Sequence, residues 1–460
     1  MQTRRHDLAI IGTGSGNSLI GPELGELDIG LVEGGTFGGT CLNVGCIPTK
    51  MFVHPANLAE DGAHAGPLGV TFGRPSTDWT GIRDRIFGRI DPISSDGERY
   101  REDQPNVTLY RARARFVGPM TLDTGTGVTI TADRWVIAAG GRPTGLELPG
   151  LERADPDRGV HTSDTIMRVA TPPGRVVIIG GGFVAAELAH VLDALGSEVT
   201  WLHRGPCLLR PEDTSIRDAF TQIAGQRFDL RLETVVGHAA YRCREWVLDL
   251  KGPTGTQTVT ADAVLLAVGR VPNTDLLDVG TGGLPTHPDG RLVVDEFQRT
   301  PIEGVWALGD ISSEYQLKHV ANHEMRVVRH NLTHPGQLVA SDHRFVPHAV
   351  FSHPQIAAFG RTEQELRAAG TPYLRHVQRY GDVAYGWAME DTTGIVKVLV
   401  DPESRLLLGA HLLGYQASSL IQPLIQAAAF GQPAGQVARG QYWIHPALSE
   451  VIENALLGVA

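Results

Sequence analysis

The sequence predicts an α/β chain with two Rossmann-like nucleotide-binding domains followed by a C-terminal α+β domain. Three observations carry this. Near the start, the apolar strand Leu8-Ala9-Ile10-Ile11 runs into Gly12-Thr13-Gly14-Ser15-Gly16-Asn17. The arrangement recurs when Arg175-Val176-Val177-Ile178-Ile179 runs into Gly180-Gly181-Gly182-Phe183-Val184-Ala185. From about residue 343 the pattern changes to short strands, such as Ile395 to Val400, and an apolar helical stretch around 416–430 with no glycine fingerprint. One fingerprint is a weak signal; two, each directly after a strand, mark two nucleotide-binding domains.

Length and composition fit this organisation. A chain of 460 residues has room for about three domains, and 42% hydrophobic residues can fill their cores. The net charge of −11, without long charge blocks, argues against nucleic acid and anionic membrane surfaces as partners. No run approaches the roughly 20 apolar residues of a membrane span, and the apolar stretch after Arg4-Arg5 is too short for a leader. Four cysteines do not make a secreted disulfide framework, so a reducing cytoplasm is expected.

In the first fingerprint Gly12 and Gly14 let backbone N–H groups approach a pyrophosphate at a helix start. Glu33, closing the second strand, can accept hydrogen bonds from ribose hydroxyls. Asn17 stands where a third glycine is usual, and the following segment carries Gly21, Pro22 and Gly25. A short or broken first helix is therefore expected.

Just beyond lies Gly38-Gly39-Thr40-Cys41-Leu42-Asn43-Val44-Gly45-Cys46-Ile47-Pro48-Thr49-Lys50. Four intervening residues, with glycines nearby, can fold so that Cys41 and Cys46 bond to each other, making a two-electron store beside a cofactor able to fill it. The alternatives are a pair of buried free thiols or a metal site. A zinc site would need a second closely spaced pair, and Cys207 and Cys243 are far away and not so spaced. Lys50 lies one helical turn beyond Cys46, either as a solvated lysine or as a charge facing the cofactor.

The second fingerprint, Gly180, Gly182 and Ala185, ends in alanine, which still permits close helix–strand packing. NAD sites carry an acidic residue at the end of the next strand. This chain has His203-Arg204, then Arg210. Two guanidinium groups suit a 2′-phosphate, so NADPH is the expected donor. Near the C-terminus, His445-Pro446-Ala447-Leu448-Ser449-Glu450 offers a base and a carboxylate to orient it, with Pro446 expected in the first turn of a helix.

The cysteine string resembles the active-site signature of the flavin-dependent pyridine nucleotide–disulfide oxidoreductases, and the resemblance covers the whole chain. It assigns FAD to the first site, with Thr40 among its contacts, Ala114 against the adenine through its backbone, and Asp310 of Gly309-Asp310 on the ribityl chain. It pairs Lys50 with Glu187 at the flavin. It makes Phe183 the aromatic cover over the flavin and Gly269 the start of the return segment. It implies a homodimer, because His445, with Glu450, serves the active site of the other subunit. The implied boundaries are 1–155 and 271–340 for the FAD-binding domain, 156–270 for the NADPH-binding domain and 341–460 for the dimerisation domain.

Within the family, residues exclude several branches. No cysteine stands near the C-terminus, and residues 7–49 contain no Lys or Arg to meet a glutathione carboxylate. His203 and Arg204 disfavour an NAD-linked lipoamide dehydrogenase, which remains one alternative; a flavin-bound redox sensor without turnover is another. The resemblance narrows to the branch that reduces mycothione, the disulfide of a cysteinyl glucosamine–inositol thiol. It is carried by strings such as Lys318-His319-Val320-Ala321-Asn322-His323-Glu324 and Gln441-Tyr442-Trp443-Ile444-His445.

Overall fold

The computed structural model describes residues 2–73 and 76–460. The chain forms two compact units. The first comprises residues up to Thr49, Gly81–Thr144 and Gly269–Asp342; the second comprises Lys50–Thr80, Gly145–Val268 and His343–Ala460.

The first unit is built on a seven-stranded sheet. Its parallel part runs Val107–Tyr110, Ile29–Val32, Gln2–Ile11, Val128–Ile137, Val305–Ala307. Leu8, Ala9, Ile10 and Ile11 are all buried, as expected for a parallel strand covered on both faces. The register aligns Ile11 with Val32 and Ile137, and Ile137 with Ala307. The residues that follow, Gly12, Glu33, Ala138 and Leu308, therefore emerge along one edge. That carboxyl edge is where open α/β sheets bind ligands.

The second unit repeats the plan. Five parallel strands lie in the order Asp229–Arg231, Glu198–Leu202, Arg175–Ile179, Ala263–Leu266, Val160–His161. Ile179 aligns with Leu202 and Leu266, so Gly180, His203 and Ala267 share an edge as their counterparts do. A three-stranded antiparallel sheet follows, at Val235–Arg242, Glu245–Gly252 and Gly255–Ala261. The C-terminal part is a five-stranded antiparallel sheet with helices that include Gln422–Ala429 and Glu450–Leu457. The expected α+β region is present.

The first helix is broken as its composition predicts. Two short 3-10 turns, Gly16–Leu19 and Pro22–Leu24, replace it. The carbonyls that a continuous helix would engage are met by a side chain from far along the chain. Arg101, 6% exposed, donates to Asn17 Oδ1, the Asn17 carbonyl and the Ile20 carbonyl at 2.7, 2.9 and 3.2 Å.

The second unit also contains a buried charge cluster. Lys397, in the otherwise apolar strand Ile395–Val400, is 1% exposed. Its ammonium lies 2.7 Å from Asp213 and 2.6 Å from Glu363. Asp213 caps the helix Thr214–Arg227 through Ser215 N and also accepts from Glu363 N. Burial pushes the Glu363 carboxyl up, but hydrogen bonds from Lys397 and Tyr373 outweigh it and hold it at about 2. A carboxyl with a depressed folded pKa stabilises above its unfolded value of about 4.3, and that stability is lost as pH falls towards 2. Replacing Lys397 by Met removes the ammonium paired with the buried Asp213, while Glu363 keeps Arg367, Arg375 and Tyr373, and is expected to cost about 3–5 kcal/mol near pH 7. Thermal melts between pH 4 and 7 check this. Wild type should begin to lose stability at the acid end of that range, whereas the variant should gain there as Asp213, left without its ammonium, takes up a proton.

Candidate active site

Both glycine loops rest on contacts that admit no side chain. Gly12 has φ +103°, and a Cβ on it would lie 2.3 Å from the Ala138 carbonyl oxygen. Gly180 has φ +141°, and its Cβ would lie 2.1 Å from the Ala267 oxygen. The next fingerprint positions, Gly14 and Gly182, face open space, which is what a pyrophosphate lying against backbone needs. In the first loop Glu33 Oε2 accepts from Thr13 N at 2.9 Å and from its hydroxyl at 2.5 Å, while Oε1 accepts from Gly35 N at 2.6 Å. Arg111 brackets that carboxylate, donating to the Glu33 and Gly35 carbonyls at 2.9 and 2.8 Å. Ala114 is buried in the loop that follows.

Gly309 and Asp310 begin a 3-10 turn at the same sheet edge. Gly309 N donates to Glu324 at 2.7 Å, and Glu324 is fully buried on the helix Lys318–Thr333. Burial raises the Asp310 carboxyl above its usual range, against the pull of Arg270. Gly269, with φ +136°, accepts from Thr144 N and opens the two-stranded ribbon of Arg270–Pro272 with Gly141–Pro143.

The cysteine pair follows from two helix starts. Thr40 and Cys41 lie in the one-turn helix Gly39–Asn43, seated so closely that a Cβ on Gly39 would meet Gly14 Cα at 2.9 Å. Cys46 is the first residue of the helix Cys46–Ala63, where the helix dipole favours a thiolate. Cys41 is partly buried and Cys46 exposed. The hydrogen bond to Cys46, then burial, then the negative charge of Cys46 push the Cys41 thiol far above its ordinary range. The Cys41 sulfur is thus poised to stay protonated beside Cys46.

Four residues along that helix, Lys50 Nζ donates to Glu187 Oε2 at 2.7 Å and sits 4.7 Å from the centre of the Phe351 ring. The other Glu187 oxygen accepts from Phe351 N at 2.9 Å. The predicted pair is therefore formed and pinned by a third residue. Phe183, partly exposed, opens the helix Phe183–Ala194, and the buried Ala185 lies in its first turn.

At the second nucleotide edge, the His203 ring lies where Cβ atoms on Gly181 and Gly205 would meet it at 2.5 and 2.7 Å. Arg204 and Arg210 are exposed on the loop beyond. Leu209 N donates to the Gly181 carbonyl, folding that loop over the fingerprint. Trp201, fully buried, donates its indole N–H to the Gly180 carbonyl at 2.6 Å.

His445 and Glu450 are joined as predicted: Nδ1 donates to Glu450 Oε1 at 2.8 Å, with the imidazole largely exposed. Pro446 is not in a helical first turn as expected. A cis peptide bond precedes it, and Pro446 to Ser449 form turns and a bend before the helix Glu450–Leu457. Glu450 itself supplies the first helical residue. The dyad belongs to the second unit and the cysteine pair to the first.

No motif in the sequence marks Arg101, Arg111, Trp201 or Phe351, and the string that ends in Glu324 gives that residue no role. A signal was available for Glu324, a carboxylate three residues after Ala321 and four before Val328, on the face of its helix that those buried residues mark.

Residues 6–324 match the model of the pyridine nucleotide-disulphide oxidoreductases, and residues 346–456 match the dimerisation domain of the same group. The chain belongs to that family. Mycothione reductase of Mycobacterium tuberculosis is 51% identical over 99% of both chains. Dihydrolipoyl dehydrogenase of Halobacterium salinarum is 32% identical, covering 98% of this chain and 95% of its own. Among solved structures, the HOCl-induced flavoprotein disulfide reductase RclA of Escherichia coli superposes with a TM-score of 0.85 at 26% identity, over 98% of this chain and 99% of that one. The family works with FAD and a pyridine nucleotide. The open backbone at Gly14, the Glu33 carboxylate at the strand end and the part-buried Asp310 fit FAD. No helix among the described residues is long and apolar enough to cross a membrane.

The His445–Glu450 pair is expected to act as a unit. His445→Ala should lower kcat for disulfide reduction by about 10²–10⁴-fold, and Glu450→Ala by less. The double variant should be no slower than His445→Ala alone, because an orienting group has nothing left to orient. Steady-state kinetics of the three variants check this.

Proposed function

We propose that this chain reduces mycothione to two thiols, taking electrons from NADPH. The observation that carries the reading is the hydrogen-bonded pair Cys41–Cys46 at a helix start beside the first glycine loop. What supports the substrate is the 51% identity, over 99% of both chains, to a mycothione reductase. In this reading 1–155 and 271–340 hold FAD, 156–270 holds NADPH and 341–460 forms the homodimer, and the enzyme works in the cytoplasm.

Gly12, Gly14, Glu33, Thr40, Ala114, Gly309 and Asp310 hold FAD, which supplies a two-electron relay from NADPH to the Cys41–Cys46 disulfide. Lys50, fixed by Glu187, places a positive charge one turn from Cys46. Phe183 covers the nicotinamide entrance, and Gly269 opens the return segment. Gly180, Gly182 and Ala185 seat the NADPH pyrophosphate. Once reduced, Cys46 carries the thiolate and Cys41 the proton. The partner subunit's His445 takes that proton, and the Cys41 sulfur bonds to one sulfur of the substrate. The substrate S–S bond breaks, and its electron pair leaves on the other sulfur, which accepts the proton. Cys46 then attacks Cys41, restoring the internal disulfide and releasing the second thiolate, which is protonated by solvent. His445 can do this because Glu450 occupies Nδ1 and leaves Nε2 for proton transfer.

Mycothione is expected to be reduced with a far higher kcat/KM than glutathione disulfide, measured side by side with NADPH in excess. A glutathione carboxylate would lose hydration without a cation in residues 7–49 to replace it. Comparable values, or a preference for glutathione disulfide, would refute the substrate assignment. Nicotinamide choice rests on Arg204 and Arg210. Each charge-assisted contact with the 2′-phosphate is worth about 1.5–3 kcal/mol. Replacing both by Ala should therefore weaken NADPH roughly tenfold or more per arginine while sparing NADH, as KM values for the two cofactors would reveal.

A further inference from the structure

Lys318 has no role in the mechanism above, yet its charge acts on Cys41. It is the first residue of the helix Lys318–Thr333. Its ammonium donates to Ser15 Oγ at 2.8 Å, and Ser15 in turn donates to Asn322 Oδ1 at 3.0 Å, one turn along the same helix. Ser15 is buried and directly follows Gly14, the residue on which Gly39 is seated. Cys41 stands two residues beyond Gly39 in the same one-turn helix. Lysine, serine, glycine loop and cysteine helix therefore form a continuous stack.

We propose that Lys318 is a positioning residue for the nucleophilic sulfur: its ammonium, fixed by Ser15, stabilises the negative charge on Cys41 as that sulfur opens the substrate disulfide. The inference rests on the redox-pair reading of Cys41 and Cys46. Two charges act on Cys41. The Cys46 thiolate opposes loss of the Cys41 proton, and Lys318 favours it. Without Lys318, the second thiolate of the pair would have to form beside the first with one positive charge fewer to balance it. The partner subunit's His445 would then remove the Cys41 proton against a stronger repulsion from the Cys46 thiolate. The lysine eases this step while leaving Cys46 as the resting thiolate. The bonds made and broken are those of the disulfide exchange already given.

The test measures alkylation of Cys41 by iodoacetamide in the two-electron-reduced holoenzyme as a function of pH, with the two cysteines resolved by peptide mass spectrometry. In K318M and in K318Q the pH midpoint for Cys41 should rise, and its alkylation near pH 7.5 should slow about tenfold if the midpoint climbs by about one pH unit. K318R should restore the wild-type profile. Flavin content, followed by absorbance, reports the structural role that the Ser15 contact gives the same lysine. S15A should lower flavin retention while moving the Cys41 midpoint less than K318M does. An unchanged midpoint in both neutral variants, or failure of K318R to restore it, overturns the proposal. Failure of the underlying reading has a different signature: C41S and C46S would each retain full turnover, whatever the Lys318 variants do.

Discussion

In both nucleotide-binding sheets a strand ends against the carbonyl of a neighbouring strand with only hydrogen between them. A Cβ at Gly12 or Gly180 would fall 2.3 or 2.1 Å from an oxygen of Ala138 or Ala267, far inside van der Waals contact. This closeness turns the chain sharply enough for the next amides to face outward at Gly14 and Gly182. In the first unit the same constraint extends one step further. Gly39 lies on Gly14 with no room for a side chain, so the one-turn helix carrying Cys41 is registered directly on the fingerprint. The Cys41 helix is placed by backbone against backbone, a contact that offers no rotamer freedom to lose.

On that scaffold, the order of the two cysteines along the chain divides their tasks. Cys46 begins a helix of 18 residues and gains the unpaired N–H groups of its first turn. Cys41 lies within a single turn and donates to its neighbour. Ionising the helix-start sulfur raises the proton affinity of the other, so the reduced pair carries one negative charge and one proton. That asymmetry is useful to a disulfide reductase.

Much of this was legible in the sequence because it depends on residue type at fixed spacing. The fingerprints, the broken first helix, the His445–Glu450 pair and the proximity of the two cysteines fall in that class, whereas the Lys50–Glu187 pair, 137 residues apart, was implied by the family resemblance alone. What stayed hidden depends on long-range placement of side chains that look ordinary locally. Arg101 sits in a charged stretch of the helix Trp79–Glu102, and nothing nearby signals that it caps carbonyls more than 80 residues away. Lys397 interrupts an apolar strand, a visible anomaly, but its partners Asp213 and Glu363 come from two other helix starts. Pro446 was misplaced because proline's fixed φ suits a helical first turn and a preceding tight turn equally.

The two nucleotide edges share backbone geometry and differ in charge, and this difference keeps them from being interchangeable. At the first, the Glu33 carboxylate is held rigid by Thr13 and Gly35. It can share a lone pair with a ribose hydroxyl but would repel a phosphate brought to the same place. At the second, the position after the strand is filled by the His203 ring between two glycines. Burial, then the nearby Arg204, lower the proton affinity of that imidazole. A neutral, wedged ring adds no charge of its own, so the sign of the local field is left to the exposed Arg204 and Arg210. Duplicated backbone with opposite electrostatics at one position lets a single chain hold two dinucleotides in a defined order, and the direction of electron flow then follows from which site adjoins the cysteine helix.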